Sequence, residues 1–226
     1  MEKVSLESLD LAAEAQRIHD QAHRMDEGCR RPGILAIVGI PGSGKSTLGQ
    51  RVVEAANQAR PDAAVLLPMD GYHHTNDVLR ERGLLERKGA PETFDVVGFM
   101  GVIQAIHREQ FPVRFPVYDR ALHDPVMRDD DPAQRVLASQ ELVVVEGNYL
   151  LLGREPWTTL HPLWDETWFI DCPWPVARQR LIDRHIAGGA SAEEAQRKAD
   201  TVDQANAELI KNDSVAADRV IAVSGE

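Results

Sequence analysis

Nine consecutive residues, Gly39-Ile40-Pro41-Gly42-Ser43-Gly44-Lys45-Ser46-Thr47, have the types and spacing to cradle a chain of phosphates. They fit G-x-x-x-x-G-K-[ST], the phosphate-binding P-loop pattern. The three glycines let the backbone curl until its N–H groups point inward around phosphate oxygens. Lys45 would reach the β- and γ-phosphates, and the Ser46 hydroxyl would ligate Mg²⁺. The cofactors this pattern calls for are ATP and Mg²⁺.

Moving a phosphoryl group also needs an acidic residue for the acceptor hydroxyl and positive charge on the migrating group. Asp70, in Met69-Asp70-Gly71-Tyr72-His73-His74, would take or align the hydroxyl proton. Its competing role is an Asx-turn before Gly71. Glu146 ends Val143-Val144-Val145-Glu146-Gly147 and would hold a metal-bound water or polarise the substrate; a loop-capping carboxylate is the alternative. Arg180 and Arg184 are four apart and share a helix face, suited to bidentate phosphate contacts or to a surface salt-bridge row. Arg178 lies off that face.

The loop Pro116–Val126 gathers Tyr118, Asp119, Arg120, His123 and Asp124 within seven positions. That density of donors and acceptors suits a polyol or sugar-like molecule, against the plainer reading of a solvated loop. Tyr72, His73 and Lys88 join them as candidate acceptor-binding residues. His73-His74 lacks a third metal ligand at a telling spacing.

Particular elements must position these groups. Ile34–Val38 reads as a buried strand running into the glycine-rich turn, and Leu48, Val52, Val53 and Ala56 share one face of the helix after it. Further strands are expected at 63–67, 142–145, 167–170 and 220–223. Asp70, Glu146 and Asp171 then stand at or just past strand carboxyl ends, where parallel sheets bind ligands. A helix is expected over 95–107, with Asp95 as its N-cap. Residues 5–26 read as an amphipathic helix, broken at 27–33. In the last third, a helix over 175–187 stops at Gly188-Gly189, and Ser191-Ala192-Glu193-Glu194 opens another with a capping box. The expected fold is α/β: a P-loop NTPase fold with a mainly parallel five-stranded sheet flanked by helices. A helical lid is expected at about 175–212, and residues 1–32 as an N-terminal helical extension of the domain at 33–226.

Composition narrows the function classes. The chain has 226 residues, 43% apolar and 27% charged, with a net charge of −11. That balance argues against coating nucleic acid, whose affinity comes from neutralising phosphates. Cys29 and Cys172 have no metal-site spacing and make no disulfide framework, so a reducing cytoplasm is expected. The first residues lack the basic and apolar regions of a signal peptide, and no run approaches the roughly 18 apolar residues of a membrane span. The expected partner is a small-molecule acceptor, with no nucleic acid and no membrane; the N-terminal helix offers a surface for a homodimer.

The chain resembles the uridine kinase, pantothenate kinase and phosphoribulokinase group of P-loop kinases. The resemblance rests on Gly39–Thr47, Met69–His73, Arg87-Lys88-Gly89-Ala90-Pro91-Glu92-Thr93-Phe94-Asp95, Pro116–Asp119 and Val144–Tyr149. Within that group it is most similar to a bacterial branch named fructose-transport-system kinase or nucleoside/nucleotide kinase family protein. The shared strings there lie at 88–95, 123–126, 146–152 and 180–184. The resemblance implies Asp70 as catalytic base, Lys45 on phosphate, and Arg180 and Arg184 as lid arginines. Pantothenate kinases usually show Tyr-Ser-His where this chain has Tyr118-Asp119-Arg120. Base-stacking aromatics are not evident either, aromatics being 5% of the chain. A sugar or sugar-like acceptor is therefore the first expectation, and a nucleoside or pantothenate-like one the second. A regulatory GTPase would need Asn-Lys-x-Asp, which is absent. A non-catalytic ATP-binding switch would need neither Asp70 nor the Tyr118–Asp124 cluster.

Overall fold

The computed structural model describes residues 2–25, 30–128 and 130–223; Cys29, and with it part of the break expected at 27–33, lies outside them. The chain begins with a short strand, β1 (Glu2–Ser5), then helix α1 (Leu11–Met25). Strand β2 (Gly33–Gly39) leads through the glycine-rich turn into α2 (Lys45–Ala59), and β3 (Ala64–Pro68) follows. Helices α3 (Asn76–Glu81) and α4 (Val96–His107) come next. Two small antiparallel ribbons cover this side of the sheet. One pairs β4 (Val113–Arg114) with β7 (Arg135–Val136), the other β5 (Val117–Asp119) with β6 (Asp124–Val126). Strands β8 (Leu142–Gly147) and β9 (Glu166–Asp171) complete the sheet centre. Helices α5 (Trp174–Ala187), α6 (Ala192–Lys198) and α7 (Gln204–Asp213) then precede β10 (Arg219–Ala222).

The main sheet is parallel, in the order β1-β10-β9-β2-β8-β3. Every residue of β2 and β8 is buried, as expected for parallel strands covered on both faces. Among the described residues the sheet has six strands where the sequence suggests five. The sixth is β1, at the start of the segment read as a helix from residue 5. Its residues Glu2-Lys3-Val4-Ser5 carry no buried apolar run; only parallel pairing with Arg219–Ala222 makes them a strand. Helix α1 accordingly starts at Leu11. It buries Leu11, Ala15, Ile18 and Ala22, and Arg17 donates to both Glu166 oxygens at 2.6 Å.

The lid is built as a helical hairpin. The expected capping box is present: Glu194 N donates to Ser191 Oγ, while the Glu194 carboxylate accepts from Ser191 N. Between α6 and α7 the backbone widens into one π-helical turn, Ala199–Asp203. Leu181, Ile182, Ala195 and Ala199 form a small core of their own, separate from the main one. Arg178, off the Arg180–Arg184 face, donates twice to Asp200 at 2.5 and 2.8 Å and ties α5 to the π turn. No helix among the described residues is long and apolar enough to cross a membrane.

The base of the lid lies directly on the glycine-rich turn. A Cβ at Gly42 would sit 2.5 Å from the Ala177 carbonyl oxygen and 2.9 Å from Leu181 Cγ, and Gly42 has φ of +76°. Gly42→Ala is therefore strained in its backbone and sterically blocked by α5. We expect it to lower stability by about 1–3 kcal/mol and to weaken ATP binding, as read by thermal unfolding and nucleotide titration. Gly83→Ala has a similarly positive φ but open space around it, and separates the two causes: a matching loss there would mean that helix contact contributes nothing.

Candidate active site

Strand register brings the chemistry together. Glu146 on β8 lies opposite Ile37 of β2 on one side and Pro68 of β3 on the other. Adjacent strands are about 4.8 Å apart. Asp70, two residues beyond Pro68 in a 3₁₀ turn over Met69–Tyr72, therefore emerges beside Glu146. Two residues beyond Ile37, β2 ends at Gly39 and the cradle begins. Gly71 closes this corner, because a Cβ there would lie 2.0 Å from the Pro116 carbonyl oxygen. The β5–β6 ribbon is thereby pressed against the Asp70 turn.

The cradle has the features a triphosphate needs. Gly42 and Gly44 have positive φ, and Gly44 stands at the N-terminus of α2, where backbone N–H groups and the helix dipole favour anions. Pro41 is buried beneath the turn, and Ser46 and Thr47 lie open at the start of α2. Ser43 Oγ is buried with no hydrogen-bond partner among the described residues. Lys45 is only 7% exposed, and its ammonium folds back to donate to Ile40 O at 3.0 Å. Ser46 Oγ donates to Glu146 Oε1 at 3.0 Å. A buried hydroxyl without a partner and a lysine resting on a backbone carbonyl both fit a site that anionic oxygens fill.

Burial and mutual charge set the electrostatics. Burial pulls the Lys45 ammonium down to about 8, against the opposing pull of Glu146 and Asp70. Burial first, then the negative charge of Asp70, pushes Glu146 up to about 7, while Lys45 and Ser46 act the other way. Burial of its charged end, then the like charge of Arg120, draws Arg184 below the ordinary arginine range; Asp203, Asp70 and Glu146 oppose this. Arg120 also acts on Glu146. Arg180 sits over the cradle, its Nη1 3.7 Å from where a Gly44 Cβ would be. Lys45, Asp70, Glu146, Arg120, Arg180 and Arg184 thus converge on one cleft at the carboxyl end of the sheet.

Other residues from the sequence reading are engaged elsewhere. Tyr72 is buried in the core with its ring against Phe99 at 5.0 Å. Asp119 accepts from Ala121 N, Leu122 N and Arg128, and so shapes its own turn. Asp124 accepts from Asn76 N and from Lys88. Lys88 spends its three N–H groups on Asn76 Oδ1, the His123 carbonyl and Asp124. It therefore staples three segments together, with its ammonium 5.1 Å from the Tyr118 ring centroid. The His123 ring is exposed. His73 stacks between Phe94 and Tyr118, and its Nδ1 lies 2.8 Å from the Asp70 carbonyl.

Sequence reasoning missed two participants. Tyr149 OH donates to the Gly89 carbonyl at 2.6 Å, and Asn206 Nδ2 reaches the same oxygen at 3.3 Å. Tyr149 lay inside the string Glu146-Gly147-Asn148-Tyr149, a signal that could have marked it. Asn206 stands alone on its helix, and its spacing gave none.

Glu146 carries a consequence for stability. Its folded value, about 7, lies above its ordinary 4.5, so the folded chain holds that proton more tightly than the unfolded chain. Stability from the neutral form is therefore full below 4.5 and is lost as pH rises through 7. Glu146→Gln removes the penalty. We expect it to raise the unliganded protein's Tm above pH 8, by the equivalent of about 2–3 kcal/mol, and to lose that advantage near pH 4.5. A Tm difference that does not change with pH would overturn this account of the buried carboxylate.

No family model matches the chain. Three comparisons place it nonetheless. YggC, an uncharacterized protein of Escherichia coli (strain K12), is 37% identical over 199 residues, spanning 87% of this chain and 80% of its own length. "Putative uridine kinase C227.14" of Schizosaccharomyces pombe is 32% identical over 198 residues, spanning 83% of this chain and 82% of its own. A crystal structure described as a "putative fructose transport system kinase", from Silicibacter sp. TM1040, is 34% identical. It superposes with a TM-score of 0.81 over 94% of this chain and 99% of that one. With a triphosphate cradle, an acidic pair at the strand ends and an arginine-bearing lid on one parallel sheet, the chain belongs to the P-loop kinases, in the group of uridine kinase-like and pantothenate kinase relatives, and is an ATP-dependent kinase.

Proposed function

We propose that this kinase phosphorylates a hydroxyl of a small polyhydroxylated metabolite, a sugar or sugar-like acceptor, from Mg·ATP. The observation that carries the reading is the absence of a free aromatic face beside Asp70 among the described residues. Phe94, Tyr149 and Trp157 pack edge-on or tilted against one another, with centroids 5.2–5.9 Å apart. Tyr118 is covered by the Lys88 ammonium and by His73. What remains toward the cleft is polar: the Asp70 carboxylate, the Arg120 guanidinium and the Tyr118 hydroxyl, which burial and then Asp70 push up to about 12 and so keep protonated. A flat base finds no stacking surface there; a ring of hydroxyls finds donors and acceptors. The name of the uridine kinase-like relative favours a nucleoside as the second reading.

In this reading Asp70 accepts the hydroxyl proton as the acceptor oxygen bonds to the γ-phosphorus and the bond to the β,γ-bridging oxygen breaks. Lys45, Arg180 and Arg184 face charge that develops on the migrating group and on the ADP leaving oxygen. Ser46 and Glu146, 3.0 Å apart, would hold Mg²⁺. The ion, when bound, neutralises phosphate charge. Arg120 and Tyr118, on and beside the β5–β6 ribbon, would meet the acceptor.

Two measurements test this. In a phosphate-transfer screen of fructose and other ketoses, glycerate, pantothenate and uridine, acceptor-dependent ADP release is expected to be greatest with a sugar or sugar acid. Preference for uridine would move the assignment to the second reading. With the best acceptor, Asp70→Asn should lower kcat by about 10²–10⁴-fold with ATP affinity nearly unchanged. A loss of only a few-fold would return Asp70 to a turn-forming role.

A further inference from the structure

Helix α5 is tied to the π turn by two cation–carboxylate pairs. Arg178 and His185 are seven residues apart, two helical turns, and so lie on one side of α5. They meet Asp200 and Asp203, both within the turn Ala199–Asp203. The Arg178–Asp200 pair is open to solvent, where an ion pair contributes little. The other pair is largely sealed: His185 Nε2 donates to Asp203 Oδ2 at 2.8 Å, with side chains only 14% and 11% exposed. A carboxylate this enclosed needs groups that use its charge.

Local backbone does not use it. Asp203 precedes the first residue of α7, a place where an aspartate would ordinarily cap the helix. Its own backbone is already helical, because the π turn runs straight into α7, and its side chain makes no cap bond. The charge acts on side chains instead. One is His185; another is Arg184, the preceding residue on α5. Three carboxylates steady the Arg184 guanidinium against burial and against the like charge of Arg120, and Asp203 has the largest effect of the three, ahead of Asp70 and Glu146. Asp70 and Glu146 stand on the floor of the cleft, at the strand ends. Of the three, Asp203 alone belongs to the lid. Its position relative to Arg184 is fixed by the π turn and by His185, and is kept wherever the lid goes.

We propose that Asp203, anchored by His185, is a positioning residue for Arg184: its carboxylate holds the guanidinium ready for the migrating phosphoryl group and moves with it as part of the lid. This rests on the role given to Arg184 above and is independent of which hydroxyl is phosphorylated. It also gives the π turn a purpose, since single π turns recur at functional sites.

The test needs no acceptor. Fluoroaluminate bound with Mg·ADP mimics the phosphoryl group in transfer, and such mimics bind far more tightly than ground-state ligands. The readout is the factor by which fluoroaluminate tightens Mg·ADP binding, measured by titration calorimetry. Arg184→Ala is expected to lower that factor by at least about 10-fold. Asp203→Asn keeps the volume and a hydrogen-bonding group for His185 but removes the charge. We expect it to lower the factor by about 5–20-fold, with Mg·ADP affinity alone within about 2-fold. The double variant Arg184→Ala/Asp203→Asn should match Arg184→Ala within about 2-fold, because Asp203 acts through that arginine. Asp200→Asn, on the same turn, should leave the factor within about 2-fold. Thermal unfolding checks that each variant is folded. An unchanged factor in Asp203→Asn, losses that multiply in the double variant, or an equal loss in Asp200→Asn would each overturn the assignment and leave Arg184's own role standing. A wild-type protein that gains nothing from fluoroaluminate, or an Arg184→Ala variant that loses nothing, would sink the role of Arg184 and this inference with it.

Discussion

The site depends on a register. Three parallel strands align Ile37, Glu146 and Pro68 across the sheet, and this alignment decides which charges meet. A slip of one residue in β8 would turn Glu146 to the opposite face and break its contact with Ser46. The strands cannot slip cheaply, because every residue of β2 and β8 is buried apolar surface or site. The same packing that fixes the core thus holds the buried Glu146 and Lys45 beside the half-buried Asp70. There burial works against the charged forms, so that Lys45 falls toward 8 and Glu146, beside Asp70, rises toward 7, while Lys45 and Glu146 each resist the other's shift. A site so poised changes its charge readily when a polyanion enters.

The second requirement is that the lid know where the cradle is. No flexible tether supplies this. Helix α5 leaves β9 after a short turn and lays the Ala177 carbonyl and Leu181 against Gly42. Arg180 and Arg184, one and two turns further on, are then aimed at the cradle and the acidic pair. Arg178, pointing elsewhere, serves the lid's internal architecture through Asp200.

Much of this was legible in the sequence, for a physical reason. Strands buried on both faces must be apolar throughout, so Ile34–Val38 and Leu142–Val145 announce themselves, and the acidic residues that interrupt them stand out. Caps at Asp95 and Ser191 were legible because they are local. The rest depended on distant partners. Strand β1 is polar and exists only because β10 pairs with it. Lys88, Asp119 and Asp124 have the chemistry of ligands, but their hydrogen bonds are largely spent on neighbours that spacing does not reveal. Asn206 carried no signal because a single asparagine on an amphipathic helix looks like surface. The π turn before it lies within a segment whose sequence pattern is simply helical.

The pairing of β1 with β10 has a consequence for how the protein is made. Among the described residues the sheet partner of β1 is Arg219–Ala222, more than 200 residues later in the chain. During synthesis residues 2–5 must therefore wait, while β2, β3, β8 and β9 assemble the centre of the sheet around the cradle. The edge closes only after the lid helices have emerged. Strand β1 then seals the sheet edge against β10, and Lys3 reaches past it to Asp171 of β9 at 2.8 Å. The nascent chain builds its nucleotide site from the middle outward, and β1 takes its place only once β10 has been made.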